Sequence, residues 1–550
     1  MYALRTARAG TEAPSDQPAA PKRRTIARMA RSLARLARIA AAAVLALPVI
    51  AACSDDAEPP PPENLPPEPD DDGGSGSEAS TDATTADVAP LPCSFDPSAP
   101  VSFEERRLAN RLPGKTVPFA KELLAGTGFD IFEGALADAI CKDGKTNAHG
   151  FDEAKKIVTA EGAKVWRAAV ERVQGKRTMG TLPAGDDRML YWARLTMTKK
   201  LRQWKPAFPL SETERSDLEW ELERSSRGQY DIVLPTGATY VRVLLSGFDP
   251  FTLGEPGDFE DTAIRTGNPS GASALAFDGL EIPLPNGKTA HLETFTLPVS
   301  YGPFEKGMQE DTLGPWFKAG PSRVDVAITM SQGGGYRFKL EEYNSRFHGV
   351  FEGNDDVRTC LGASPLPSTP GCSIDPPKRW TGYDPLPWTK NQPPQFVDST
   401  LPIAEMIGAN TGTRVPRPPG STASAGNAFD VVWGYDFAIF GDCASPTTTT
   451  LYSPVSTTYP PPGNPQPPVA AACARSGGGG DYLSNESAYR ATLLRDVLGL
   501  TIPAGHIHTP VMTRFDAGND SAITDATYEA YRSAIVLQGR LLVIEVAKTR

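Results

Sequence analysis

The chain has 550 residues, with 66 Asp and Glu against 55 Lys and Arg, a net charge of −11 and 40% hydrophobic residues. That supplies enough apolar material for packed cores. The acidic balance, with no basic stripe, argues against a nucleic-acid-binding surface.

Residues 1–38 carry nine Lys or Arg and two acids, and an apolar run from Ile39 to Ala52 follows. The run is too short to span a bilayer and fits the core of a signal peptide. It ends Ile50-Ala51-Ala52-Cys53, which resembles a lipobox. The expectation is a cleaved signal over 1–52 and acylation of Cys53, which anchors the mature chain to membrane lipid. Residues 54–92 hold eleven acids, nine Pro and no Lys or Arg. Such a segment cannot bury a core and reads as a disordered acidic tether, 53–92 with its lipidated Cys. Ser54 after the Cys favours sorting to the outer membrane if the host has one. Loss of 1–52 takes the net charge to −18, of which the tether supplies −11.

Six further Cys remain, at 93, 141, 360, 372, 443 and 473. In an oxidising compartment an even number reads as disulfides, and nearest-neighbour pairing closes each loop within one region. No Cys/His cluster has metal-ligand spacing, and the expectation is that no metal or cofactor is needed.

The remainder is long enough for two domains. Residues 93–230 read as helical. Trp166, Ala169, Val170 and Val173 share one helix face, as do Leu190, Ala193, Met197, Leu201 and Trp204, with Asp186 or Asp187 available as N-cap. Glu104-Glu105 and Glu219, Glu221 and Glu223 read as solvated helix faces. From 231 to 550 the pattern becomes α/β: Tyr240–Leu245, Leu292–Val299, Val324–Thr329 and Phe429–Trp433 read as strands of a mostly parallel sheet. Residues 355–475 are rich in Pro, Thr, Ser and Gly and read as disulfide-stapled insertions, with Pro365–Pro394 and Thr447–Pro468 as long loops.

Ligands of open α/β folds sit beyond the carboxyl ends of the strands, so the segments after the strands carry the candidates. These are Gly247-Phe248-Asp249-Pro250-Phe251; Asn268-Pro269-Ser270, with Asn268 capping a helix and Pro269 at its first position; Gln332-Gly333-Gly334-Gly335 leading to Glu341-Glu342; Tyr482-Leu483-Ser484-Asn485; and His506-Ile507-His508-Thr509-Pro510. In order and in kind they resemble pyroglutamyl peptidase I, which removes an N-terminal pyroglutamate from peptides. The resemblance spans roughly 240–515 and includes Leu297-Pro298-Val299.

The resemblance implies a three-layer α/β/α domain and a triad with His508 as base. Glu341 or Glu342 would orient it, Glu341 being slightly favoured. Phe248, Phe251 and Tyr482 would enclose the pyrrolidone ring, and Gln332 would lie near the substrate, a peptide or small cyclic amide. The family's nucleophile is Cys; here Ser484 stands in its place. A thiol beside His ionises at rest, whereas a hydroxyl must lose its proton to His during attack. The implied activities are therefore a serine-based hydrolase, a pseudopeptidase that binds without turnover, or a structural envelope protein. His149, His291 and His348 match no motif.

Overall fold

The computed structural model describes residues 93–550, except 144, 258, 359–370, 374–392, 442–448, 453–454, 460–465 and 470–471. The signal, Cys53 and the tether lie outside the described residues, as do Cys360 and Cys443. Among the described residues no helix is long and apolar enough to cross a membrane.

Five helices lead the described chain: α1 Phe119–Thr127, α2 Ile131–Ile140, α3 Phe151–Val173, α4 Arg188–Gln203 and α5 Glu212–Ser225. The apolar stripe of α4 is fully used: Leu190, Ala193, Met197 and Leu201 are buried, as is Trp204 just beyond it. Trp166 and Ala169 of α3 join the same core. Asp187 stands at the N-cap of α4 but its carboxylate caps nothing. Instead Asp186 accepts from the Arg188 backbone N–H at 3.1 Å and pairs with the buried Arg188 guanidinium at 2.7 Å. Helix α5 begins with a capping box, Ser211 to Glu214, which satisfies two otherwise orphaned backbone donors. A disulfide joins Cys93 to Cys141, and Cys473 is also disulfide-bonded.

The acids expected on solvated faces are engaged instead. Glu105 is buried against Arg202 at 3.1 Å, Glu221 pairs with Lys155 at 2.8 Å and Glu223 with Arg227 at 2.7 Å. Glu104 accepts from Tyr191 Oη at 2.9 Å, and burial pushes its carboxyl up to about 7. Helical periodicity alone does not show that a second layer of structure covers these faces.

An eight-stranded sheet follows. Its strands are β1 Tyr240–Phe248, β2 Leu280–Pro283, β3 Thr289–Leu297, β4 Val326–Gln332, β5 Phe338–Glu341, β6 Val431–Gly434, β7 Val455–Ser456 and β8 Ala504–Thr509. Their spatial order is β7-β6-β5-β8-β4-β1-β3-β2. The pairs β3/β1, β1/β4, β4/β8 and β5/β6 are parallel; β8/β5 and the two edge pairs are antiparallel. Side chains of β1 alternate between faces, as a strand's pleat requires. Val241, Val243 and Leu245 pack with α6 (Pro269–Phe277) and the C-terminal helix, which spans Ala526–Ala547. Leu244 and Phe248 pack toward α7 (Met308–Phe317) and α8 (Leu483–Val497). The result is a three-layer α/β/α fold. Part of the segment expected as a long loop is a strand: Thr449–Tyr452 pairs with Phe437–Phe440.

Candidate active site

Strand β8 lies between β4 and β5, and the antiparallel register sets His506 opposite Glu341 and His508 opposite Lys339. Alternation along each strand therefore puts Lys339, Glu341, His506 and His508 on one face. There His508 Nδ1 meets Glu341 Oε1 at 2.7 Å. Glu341 is wholly buried and His508 is 9% exposed, so the pair is screened from bulk water while the imidazole still reaches a surface.

Glu342, the other acid named from sequence, lies on the opposite face. Its carboxylate accepts from Trp433 Nε1 at 2.7 Å, and burial raises its pKa. Strand parity removes it from contact with His508.

His506 is buried between Thr329 Oγ1, 2.7 Å from Nδ1, and Ser331 Oγ, 2.8 Å from Nε2. Burial, then the neighbouring His508 and Lys339, hold its pKa well below the ordinary histidine value. It is a neutral ring, packed perpendicular to His508 at 4.8 Å between centroids.

Ser484 is the second residue of α8, whose N-cap is Tyr482. The stretch before it is a tight glycine turn. Gly477 and Gly480 exchange backbone hydrogen bonds at 3.1 and 3.0 Å, and Gly480 has φ +80°, a conformation that favours glycine. At Gly478 a Cβ would fall 1.9 Å from Glu341 Oε2; no other residue lets the turn lie over the buried carboxylate. Asn485 locks the helix start by accepting from Ser345 N at 2.9 Å and donating to Ser345 O and Phe347 O at 2.8 and 3.0 Å. Behind it, Glu486 meets His348 Nδ1 at 2.8 Å and accepts from Arg490, which also binds Glu310 at 2.8 Å. Burial would raise Glu486, but His348 and Arg490 outweigh it and hold the carboxyl at about 2. His348 is thus part of a buried scaffold. Ser484 Oγ makes no hydrogen bond among the described residues, so this serine is not spent as a helix cap.

Ser484 and His508 line one groove of about 610 Å³, together with Phe251, Gln332, Lys339 and Asp436. Ser484 also borders a recess of about 20 Å³, with Phe248, Phe251, Gln332 and Tyr482. A space of that size admits about one water, so a ring enters only if side chains turn. Phe248 is buried and stacks on Phe304 at 6.2 Å. Tyr482 Oη donates to Glu352 O at 2.9 Å. Gln332 Oε1 accepts from Met512 N at 2.9 Å, and its Nε2 donates to nothing among the described residues.

The Phe248–Phe251 turn is held from outside the sheet. Asp249 Oδ2 receives Arg194 of α4 and Arg227, which follows α5, each at 2.6 Å. Asn268 donates to Asp249 O at 2.9 Å while accepting from Ser270 N at 3.1 Å as the cap of α6.

The sequence reading placed Ser484, His508, Glu341, Phe248, Phe251, Gln332 and Tyr482 in one neighbourhood, and these the fold brings together. It missed Lys339 and Asp436. Lys339 sits two residues before Glu341, and period-two parity alone sets it on the same face; Asp436 gave no local signal. Among the described residues no group of three or more His, Cys, Asp or Glu is disposed to hold a metal.

Residues 83–223 match the family described as the PA0049 N-terminal domain, and 242–513 that of the PA0049 C-terminal domain. The chain is 48% identical to the uncharacterized protein PA0049 of Pseudomonas aeruginosa PAO1 over 519 residues, 86% of this chain and 94% of that one. Pyrrolidone carboxyl peptidase of Pyrococcus furiosus is 17% identical, with TM-score 0.31, over 56% of this chain and 99% of that one. Pyroglutamyl peptidase I of Bacillus amyloliquefaciens is 16% identical, with TM-score 0.29, over 56% of this chain and 95% of that one.

Proposed function

The chain belongs to the PA0049 family, and we propose that it hydrolyses the amide bond that follows an N-terminal pyroglutamyl group, through Ser484, His508 and Glu341. The observation that carries this reading is the buried 2.7 Å contact of His508 with Glu341, at a groove that Ser484 also lines. The ordered motifs of the sequence supply the substrate class.

In this reading Glu341 engages Nδ1 of His508 and leaves Nε2 as the base. Ser484 Oγ attacks the carbonyl carbon as His508 takes its proton. The oxygen that gains charge is met by N–H groups at the start of α8, which have no intrahelical acceptors. His508 returns the proton to the leaving amine as the C–N bond breaks. Water, deprotonated by His508, then attacks the acyl ester, releasing pyroglutamate and freeing Ser484. Phe248, Phe251, Tyr482 and Gln332 would hold the ring.

A second reading is favoured by one observation: Ser484 Oγ has no hydrogen bond to His508 among the described residues. On this reading the chain is a pseudopeptidase that binds without turnover. Fluorophore release from a pyroglutamyl amide separates the two, using the parent, Ser484→Ala and Ser484→Cys. Turnover by the parent that Ser484→Ala abolishes supports the hydrolase. Turnover by Ser484→Cys alone supports the binder. The signal-like start and the acidic tether support an envelope lipoprotein anchored through Cys53. Alkyne-palmitate labelling that persists in Cys53→Ala would remove that assignment.

A further inference from the structure

The second oxygen of Glu341 makes no hydrogen bond among the described residues but faces a cation. Lys339 Nζ lies 3.3 Å from Glu341 Oε2 and 2.7 Å from Asp436 Oδ1, and it donates to Gly478 O at 2.9 Å. Burial works against the Lys339 cation, but Glu341 and Asp436 outweigh it and raise its pKa, so the ammonium stays charged. Burial, then the charge of Glu341, raises Asp436. The Glu341 carboxylate is therefore shared between an imidazole on Oε1 and an ammonium on Oε2.

This sharing bears on the nucleophile. A buried carboxylate touching an imidazole favours the imidazolium. That suits a thiol, which reacts as the thiolate of an ion pair. A hydroxyl needs the imidazole unprotonated at rest and the acid to stabilise the imidazolium that forms during attack, so there the bias must stay moderate. A cation on the same carboxylate opposes the bias. The charged and titratable groups around His508 are Glu341 and Lys339 on β5, His506 on its own strand, Asp436 beyond β6, and Arg337, which lines the groove. His506 is neutral, and Asp436 tempers Lys339 instead of facing the imidazole through a hydrogen bond.

We propose that Lys339 is a positioning residue that faces the second oxygen of Glu341 and offsets its charge, which tunes His508 as the base for the Ser484 hydroxyl. The role rests on the hydrolase reading for its purpose, but its electrostatic content can be tested without turnover.

The test is an NMR titration of the full chain with 13Cε1-labelled histidine. The chain has five histidines, and His508→Gln assigns the signal. In Lys339→Met the His508 midpoint rises by about one pH unit, the size of effect a nearby charge exerts. In Lys339→Arg it returns toward the parent. In Asp436→Asn, which leaves Lys339 less compensated, the midpoint falls. If turnover is measurable, the acid limb of the kcat/KM profile moves with these midpoints. Equal midpoints in the parent and Lys339→Met overturn the proposal. If Lys339→Met does not fold, a midpoint in Asp436→Asn that is unchanged or higher overturns it instead. An inactive chain that still shows the shifts refutes the hydrolase reading and leaves the role of Lys339 standing.

Discussion

Replacing Asp249 by Ala would test how the helical segment supports the candidate site. Asp249 Oδ2 receives Arg194 and Arg227 at 2.6 Å each, and all three side chains are at most 5% exposed. Truncation leaves two guanidiniums in a dry place. Arg227 keeps Glu223 at 2.7 Å, but Arg194 is left with Glu223 at 3.5 Å. Breaking a buried pair on one side costs about 3–5 kcal/mol, because the remaining charge stays buried. Much of a domain's total stability of about 5–15 kcal/mol is then lost. With a urea m-value of about 3 kcal/mol/M or more, the midpoint falls by about 1 M. The assay is urea unfolding followed by tryptophan fluorescence, with Trp192 on the same helix as Arg194 as an internal reporter. The Phe248–Phe251 turn would loosen in the same variant, so binding of 2-pyrrolidone should weaken alongside stability. A loss below about 1 kcal/mol, the level of an exposed pair, would refute the reasoning and mean that water reaches these arginines.

Three further outcomes are expected. Glu341→Gln lowers kcat by about 10²–10⁴-fold, since a misdirected imidazole is the usual result of losing the acid, while Glu342→Gln stays within about twofold; equal losses in a turnover assay would contradict the strand-parity argument. Glu486, held at about 2 against an ordinary 4.5, contributes stability that is complete above about 4.5 and lost as pH falls toward 2. The contribution is about 3 kcal/mol, and Glu486→Gln should flatten the acid-unfolding curve in that window. Asp187 is buried with Oδ1 unpartnered among the described residues, and burial, then Asp186, pushes it up to about 7 against 3.8. Its folded pKa is raised, so stability falls as pH climbs from about 4 through 7; Asp187→Asn should raise the melting temperature at pH 8 and leave it unchanged near pH 3.

The strands, the cap at Asn268 and most of the candidate residues were legible because each depends on local order: alternation, a Pro at the first helical position, and motifs in sequence. Glu341 and Glu342 could not be separated by spacing alone. A strand's two faces part neighbours completely, and the face is set by the register with β8, more than 160 residues away. The burial of Glu105 and Glu221 was hidden for a similar reason. A helix face covered by a second helix or by the sheet carries the same pattern as one in water when ion pairs replace apolar contacts. Lys339 was legible in principle, being two residues from Glu341 on one strand. Asp436 was not, because a loop brings it in after β6.

Whether the small recess is a site or a filled core turns on which of its walls can move. Its backbone is pinned: Asp249 is held through its side chain and its carbonyl, and Asn354 donates to Pro250 O at 2.8 Å. What remains free is the ring of Phe251, which is only partly buried. Phe251 borders the recess, the groove with His508 and a third cavity of about 520 Å³ that reaches Phe103 and Arg107. A rotation of this one ring can open the recess with space already present to receive it, at the modest cost of a rotamer change. A core plug would have no such neighbouring space and would lose several kcal/mol on truncation, about 3–5 for a buried Phe. Phe251→Ala should therefore cost under about 1.5 kcal/mol in unfolding and change the binding of 2-pyrrolidone. A loss of 3 kcal/mol or more with no effect on binding would instead mark Phe251 as core, and the recess as no site at all.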